Sequence, residues 1–126
     1  MAKYVDGFVL VIPKKNTKAY KKMAQEGRDT WMKHGALEYF ECKGDDLKPQ
    51  AMGGAKSLGF LNMAKAKPDE TVWFSFVVYK SKKHRDEVNK KVMDEMSEKY
   101  KDKTDFQMPF DMNRMAHGGF SVEVEG

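Results

Sequence analysis

Two segments of the chain are apolar on both faces of the β-strands that they predict. Residues 3–12, KYVDGFVLVI, and residues 71–79, TVWFSFVVY, are rich in the β-branched and aromatic side chains that favour strands. Side chains alternate between the two faces of a strand, so large apolar groups fall on both sides of each segment. A sheet built around these two strands therefore needs a covering layer on each of its faces.

The rest of the chain supplies two more strands and two helices. Tyr20, Met23, Ala24, Gly27 and Trp31 recur at steps of three and four residues, which places them on one side of a helix. Periodicity and end signals together predict these elements in chain order: a strand at 3–12, a helix from Asn16 or Thr17 to His34-Gly35, a strand at 36–43, a strand at 71–79, a helix from Ser81 to about Tyr100, and a strand at 114–124.

The βαββαβ order of these elements predicts an α+β fold of the ferredoxin-like type. Its four strands form an antiparallel sheet with both helices on one face, and strands one and three, the two most apolar strands, lie at its centre. Within the last strand, Gly118-Gly119 indicates either a β-bulge or a close backbone approach.

Helices on one face leave the other face of this sheet bare. Each large apolar side chain that stays exposed forfeits about 1.5–3 kcal/mol, and half a dozen would rival the roughly 5–15 kcal/mol by which a whole domain is stable. We therefore expect two copies of the chain to pair sheet to sheet as a homodimer, a dimeric α+β barrel. The alternative is that residues 44–70, which are too long for a structureless connection, fold over the bare face themselves.

The length of 126 residues gives room for one domain, which we expect to span residues 1–126 with 44–70 as a long insertion between strands two and three.

The lone Cys42 cannot form an internal disulfide, and the first residues lack the apolar run of a secretory signal, so the expected location is the cytoplasm. No stretch approaches the roughly 18 consecutive apolar residues of a membrane helix. The insertion is expected to form a short helix or an extra strand that covers a sheet edge or a pocket.

The motifs that identify common enzyme classes are missing. The glycines at 54 and 59 have the spacing of a phosphate loop, but Phe60-Leu61 follows where Lys-Ser or Lys-Thr is needed. Neither Gly-x-Gly-x-x-Gly nor Gly-x-Ser-x-Gly occurs, so dinucleotide chemistry and serine hydrolysis have no local support. His34, His84 and His117 fall on separate elements without a ligand-spaced partner, and we expect neither a metal nor a cofactor. The Cys42 thiol is expected to be a small apolar filler rather than a nucleophile.

Two carboxylates within predicted strands are candidate catalytic residues. Asp6 lies in the most apolar strand with Tyr4 and Phe8 on its own side, where a carboxylate must be hydrogen-bonded, paired or protonated. It is either part of a structural ion pair or a general acid or base with a raised pKa. Glu41 lies on the second strand, from which it can converge with Asp6 across the sheet.

Four further residues are candidates with simpler alternatives. His117, the third catalytic candidate, shares a side of the last strand with polar residues that suit either a surface or a site. Arg114 is predicted to form an ion pair with Asp111, although its guanidinium is also suited to clamp an anionic ligand. Asp45 and Asp46 are either ligand-binding residues or caps of the turn that ends the second strand.

Five short segments together resemble the YbaA-like family of uncharacterised bacterial proteins, nearly from end to end. The most specific is MPFD followed by RM and GGF near the end of the chain. The resemblance implies a dimeric α+β barrel, in a superfamily that also contains cofactor-free monooxygenases, haem-degrading enzymes and small-molecule binding proteins. It implies no catalytic residues. The segments are YVDGFV at 4–9, ECKGDD at 41–46, AKAKPDETVWFSF at 64–76, HRDEVN at 84–89 and MPFDMNRMAHGGF at 108–120.

Two functional hypotheses are compatible with these patterns. The first is a small-molecule binding protein or a cofactor-free enzyme with a pocket between sheet and helices. The second is a noncatalytic dimeric interaction module that could associate with nucleic acid, for which the net charge of +4 and the isoelectric point near 9.0 give some grounds. Because the lysines lie among acidic neighbours on the predicted helices, a solvated helix face explains them more simply than a nucleic-acid surface.

Overall fold

The chain alternates strands and helices in the predicted order. A computed structural model describes residues 2–51, 53–54, 56–103 and 106–126. The elements, in chain order, are β1 (Tyr4–Pro13), a 3₁₀ turn (Lys14–Asn16), α1 (Thr17–Lys33), β2 (Glu38–Lys43), α2 (Phe60–Met63), β3 (Glu70–Tyr79), α3 (Lys82–Tyr100), a second 3₁₀ turn (Met112–Arg114) and β4 (Met115–Ser121).

The four strands form one antiparallel sheet in the order β2-β3-β1-β4, so the fold is ferredoxin-like α+β as predicted. The two apolar strands β1 and β3 are indeed central. The pairing of β1 with β4 runs in register from Tyr4 opposite Ser121 to Leu10 opposite Met115, so the predicted bulge is absent from β4. The close approach is present instead, because a Cβ atom at Gly119 would overlap the Tyr4 side chain.

Helix α1 begins and ends where the sequence indicates, but its start is stabilised differently. The Asn16 side chain makes no cap bond to the helix, and its amide donates instead to the Pro109 carbonyl oxygen at 2.9 Å. That bond ties the start of α1 to the segment leading into β4. At the other end, Gly35 has φ +110, the left-handed conformation that the sequence predicts for a helix exit.

Helix α3 begins at a capped N-terminus, as predicted. The Ser81 hydroxyl oxygen accepts a hydrogen bond from the His84 backbone N–H at 3.1 Å. Val88 and Val92 on its inner side are buried against Val77 and Tyr79 of β3. Helix α1 packs on the same face of the sheet through a second cluster, which comprises Leu10, Ile12, Tyr20, Ala24, Trp73 and Phe110.

The opposite face of the sheet remains open over much of its area. Phe40 is 46% exposed, Phe74 44% and Phe120 62%, and the rings of Phe40 and Phe76 stack at 5.0 Å. The 44–70 insertion contributes the predicted short helix, α2, whose Phe60 lies beside Phe74 at one end of this face. Residues 52 and 55 of the insertion are outside the described residues. Within the described ranges, no helix combines the length and apolar character needed to cross a membrane.

Candidate functional site

Glu41 is held by three hydroxyl groups from three different elements. It lies opposite Ser75 in the pairing of β2 with β3, on the face that the helices cover. The Tyr20 hydroxyl donates to Oε1 at 2.7 Å, the Tyr39 hydroxyl donates to Oε2 at 2.6 Å, and the Ser75 hydroxyl donates to Oε1. Because all three groups are donors to one carboxylate, they stabilise its negative charge and fix its position.

Both tyrosines in this cluster keep their protons. Burial, reinforced by the charge of Glu41, raises the pKa of the Tyr20 and Tyr39 hydroxyls well above its ordinary value. Helix α1 makes room for Tyr39 at Gly27, where a Cβ atom would lie only 2.9 Å from the Tyr39 hydroxyl oxygen. The glycine within the helix is therefore explained by packing, which offsets its unfavourable helix propensity.

A groove of about 460 Å³ lies between α1 and β2, with Glu41 among its lining residues. Glu41 itself is half-buried, so part of it is accessible from the groove. Trp73 is 5% exposed, and its indole N–H is buried without an acceptor among the described residues. The groove thus combines a carboxylate, aromatic side chains and cations. Its lining residues are Thr17, Lys21, Ala24, Gln25, Arg28, Tyr39, Phe40, Glu41, Lys43 and Trp73.

Asp6 belongs to a separate polar cluster beneath α3. It is 7% exposed, and its Oδ1 lies 3.4 Å from an Arg85 guanidinium nitrogen, while its Oδ2 accepts from the Asn89 amide at 3.2 Å. The Tyr79 hydroxyl donates to Asn89 at 3.0 Å and accepts from the Trp31 indole at 3.1 Å. Burial, with a contribution from Asp6, raises the pKa of Tyr79. Asp6 therefore has the paired and hydrogen-bonded environment that its position in an apolar strand predicts.

The other candidates lie apart from both clusters. His117 stacks on Phe8 with ring centroids 5.7 Å apart and is exposed on β4. Arg114 pairs with Glu70 and donates to the Lys65 carbonyl oxygen at 2.8 Å, so the predicted ion pair with Asp111 is wrong. The Arg114 guanidinium holds the pKa of the Glu70 carboxyl below its usual value.

Arg114 connects the insertion to the start of β3, because it bonds to both Lys65 and Glu70. Lys65 lies just after α2 and has a positive φ of 54. The Asp111 carboxylate instead accepts from the Asn113 backbone N–H at 2.9 Å and caps the second 3₁₀ turn. The predicted partner was wrong because Glu70, distant in sequence, is brought alongside by the fold.

Asp45 and Asp46 line a second cavity of about 400 Å³ on the open face of the sheet. Cys42 also lines it and is exposed, so the expectation that this thiol is a small apolar filler is wrong for a single copy of the chain. The cavity is bounded on its other side by Phe60 and Phe74. These two aspartates are therefore on the face of the sheet opposite to Glu41.

The six candidate residues thus do not form one site. Asp6 and Glu41 both lie on the helix-covered face, but the predicted convergence is wrong, because the two carboxylates bond to separate sets of partners. The Glu41 partners Tyr20, Tyr39 and Ser75 and the groove residue Trp73 were not identified from the sequence. Ser75 carried a usable signal, since it is the one hydroxyl in the middle of the apolar run VWFSFVVY. In the described part of the chain, no group of three or more His, Cys, Asp or Glu side chains is placed to hold a metal ion.

Comparison with known proteins identifies the family. Residues 3–112 match the family described as "Protein of unknown function (DUF1428)". The chain belongs to the DUF1428 family. The curated relatives of this DUF1428 protein include the "Uncharacterized protein YbaA" of Escherichia coli (strain K12) and that of Shigella flexneri, each 37% identical over 123 residues, 98% of both chains. The resemblance noted from the sequence is confirmed.

Two solved structures have the same fold as this DUF1428 chain. Both are described as dimeric ferredoxin-like proteins from an uncultured marine organism. One has a TM-score of 0.61 at 12% identity and covers 100% of this chain and 98% of its own. The other has a TM-score of 0.57 at 8% identity, with full coverage of both chains. At such low identity the likeness supports the fold and carries no information on the site.

Proposed function

We propose that the protein binds a small molecule in the groove between α1 and β2, with Glu41 as the acceptor for a donor group of the ligand. The hydroxyl groups of Tyr20, Tyr39 and Ser75 donate to Glu41 and together form what we call the hydroxyl clamp. The observation that supports the proposal is this hydroxyl clamp at an open groove of about 460 Å³. Ligand sites of about 300–1,000 Å³ are typical, with apolar walls and a few fixed polar groups. The volume of the groove falls within that range, and its wall combines aromatic rings with several charged side chains.

The clamp suits Glu41 for recognition. An ionised carboxylate offers about four lone-pair positions, and the described donors Tyr20, Tyr39 and Ser75 occupy three of them. One position is left for a ligand. Because the clamp already fixes the carboxylate, a ligand that uses this position need not order the side chain, and the entropy cost of binding is reduced.

The test is a fragment screen followed by NMR. The ¹⁵N-labelled protein is titrated with a library of small polar aromatic and aliphatic fragments, and the shifted amide signals are mapped. We expect the shifts to concentrate on residues 17–28 and 39–43, and to weaken in Glu41→Gln but not in Glu38→Gln, an exposed glutamate on the same strand. Shifts that concentrate elsewhere, or no shifts at all, would overturn the proposal.

We propose further that the protein acts as a homodimer joined through the open face of the sheet. Phe40, Phe74 and Phe120 are about half exposed on that face, and burying such rings is worth about 1.5–3 kcal/mol each at full burial. The two solved structures of the same fold are described as dimeric, which supports this assembly. The insertion supports it as well, since α2 leaves these three rings exposed.

Sedimentation equilibrium tests the assembly directly. We expect a dimer at micromolar concentration for the unmodified chain and a monomer for Phe74→Glu, because a charge would be buried unpaired in the interface. Met93→Glu is the matched control: Met93 is 52% exposed on α3, away from the sheet, and should leave the dimer intact. A monomeric unmodified chain would overturn the assembly and leave the groove proposal standing.

A further inference from the structure

We propose that the groove ligand is an organic anion with an aromatic, ring-sized body and a hydroxyl donor at the end remote from its charge. This inference rests on the proposed function and names the class of molecule that the groove would take. It follows from three properties of the lining, which are its positive charge, its aromatic rings and the single carboxylate of Glu41.

The charge of the lining is positive. Lys21 and Arg28 of α1 and Lys43 of β2 face a single lining carboxylate, Glu41, whose charge three hydroxyl groups already stabilise. Among the described residues, neither lysine has a carboxylate within 4.0 Å, while Arg28 pairs with the exposed Asp29 at 3.0 Å. Cations collected in a concave site attract an anionic ligand.

The walls of the groove are aromatic. Tyr39, Phe40 and Trp73 all line it, so a flat apolar body would bury its surface against rings. Trp73 contributes its ring to the wall, because its indole N–H is buried away from solvent.

The arrangement of charge sets the polarity of the ligand. Glu41 accepts hydrogen bonds and repels an anion, so it would take the hydroxyl end of the ligand. The lysines repel cations and attract a carboxylate, so they would take the other end. A hydroxylated aromatic carboxylate meets both demands, whereas a dianion or a cationic amine meets only one.

Three probes of nearly equal shape test this inference. They are 4-hydroxybenzoate, its neutral amide 4-hydroxybenzamide, and benzoate, which lacks the hydroxyl donor. Each is titrated into ¹⁵N-labelled protein, and binding is followed at the amides of residues 39–43 and at the Trp73 indole signal. The chain has two tryptophans, so a Trp31→Phe variant assigns that signal.

We expect 4-hydroxybenzoate to bind about tenfold more tightly than the amide, which corresponds to one charge-assisted hydrogen bond of about 1.4 kcal/mol. The difference should shrink at high salt and also in the double variant Lys21→Gln, Lys43→Gln, in which Arg28 is the remaining lining cation. Lys18→Gln, an exposed change on the same helix outside the groove, should preserve it. Benzoate should bind more weakly than 4-hydroxybenzoate, and Glu41→Gln should reduce that second difference.

The outcomes separate this inference from the proposed function. Equal binding of the acid and the amide would overturn the anionic class while the groove remained a binding site. The anionic class also fails if fragments of other chemistry shift the groove amides and these three probes do not. If no fragment reaches the groove, the proposed function itself fails.

Discussion

Glu41 concentrates more hydrogen bonds than any other candidate residue, and its donors come from α1, β2 and β3. A carboxylate can accept from all three hydroxyls at once, whereas a carboxamide offers one oxygen and two N–H donors. The cluster therefore depends on the chemistry of this side chain as well as on its size.

We predict that Glu41→Gln destabilises the protein by about 1–3 kcal/mol, because at least one buried hydroxyl loses its acceptor. Urea unfolding at fixed protein concentration measures the change. Glu38→Gln, on the same strand but exposed, should stay within about 0.5 kcal/mol of the unmodified chain. Equal stability of the two variants would show that the hydroxyl clamp contributes nothing to folding.

A second residue-scale prediction concerns the paired glycines of β4. A Cβ at Gly119 would overlap the Tyr4 side chain, whose hydroxyl accepts from Arg85 at 3.3 Å and whose ring lies 4.9 Å from the Arg85 guanidinium carbon. We expect Gly119→Ala to cost about 1–3 kcal/mol through this overpacking.

Gly118→Ala is the matched control, since nothing lies within 4 Å of a Cβ at that position. Its stability should change by no more than about 0.5 kcal/mol. In a Tyr4→Ala background the cost of Gly119→Ala should fall sharply, because the overlap is gone. Equal costs for the two glycines in chemical unfolding would contradict this explanation of the GGF segment.

The sequence predicts the environment of a residue well where the chemistry of that residue alone determines what it needs. A carboxylate inside an apolar strand must be paired, and Asp6 is. It does not predict the partners, because Arg85 and Asn89 reach Asp6 only through the way α3 packs on the sheet. The clamp on Glu41 was missed for the same reason, since Tyr20 is 21 residues away on a helix.

At the scale of elements, local signals are sufficient where the stabilising bond is local. Ser81 caps α3 through a bond to a residue three positions on, and its role was predicted. Asn16 occupies the equivalent position before α1, but its side chain bonds 93 residues away to the Pro109 carbonyl oxygen. Local sequence signals cannot predict that Asn16 bonds to Pro109 instead of capping α1, because this bond depends on the tertiary structure.

Removal of the Ser81 cap should therefore weaken α3. We expect Ser81→Ala to lower the free energy of unfolding by about 1 kcal/mol, because the His84 N–H loses its acceptor. Ser97→Ala, at an exposed position within the same helix, should be neutral or slightly stabilising, since alanine is the better helix former. Thermal unfolding followed by circular dichroism distinguishes the two, and a neutral Ser81→Ala would contradict the cap.

At the scale of the molecule, the two faces of the sheet carry different kinds of side chain. The helix-covered face holds both polar clusters, whereas the open face presents exposed aromatic rings, with Asp45 and Asp46 at one end. Phe40 belongs to the open face through its stacking on Phe76 and also lines the groove. If the proposed dimer and the proposed ligand site are both correct, Phe40 couples them, and a ligand that orders Phe40 would also strengthen the dimer.

Stability at alkaline pH is the property of the whole molecule that follows from its buried tyrosines. Burial is the first cause that raises the pKa of Tyr20, Tyr39 and Tyr79 above the ordinary 10.0, with Glu41 or Asp6 adding to it. Above about pH 10 these groups ionise in the unfolded chain but stay protonated in the fold. The native state then binds more protons than the unfolded state, so stability falls as pH rises.

We predict that the free energy of unfolding loses up to about 1.4 kcal/mol per pH unit for each of these tyrosines above pH 10, a contribution that is absent below it. Urea unfolding between pH 8 and 12 at constant protein concentration measures the slope. In Tyr39→Phe the slope should decrease by the share of one tyrosine, even though the variant is less stable at neutral pH because Glu41 has lost a donor. The difference in tyrosinate absorbance between the unmodified chain and Tyr39→Phe isolates Tyr39 from the other four tyrosines, and it should rise together with unfolding. An unchanged slope in Tyr39→Phe, or ionisation of Tyr39 well before unfolding, would show that the fold does not hold this hydroxyl in the protonated state.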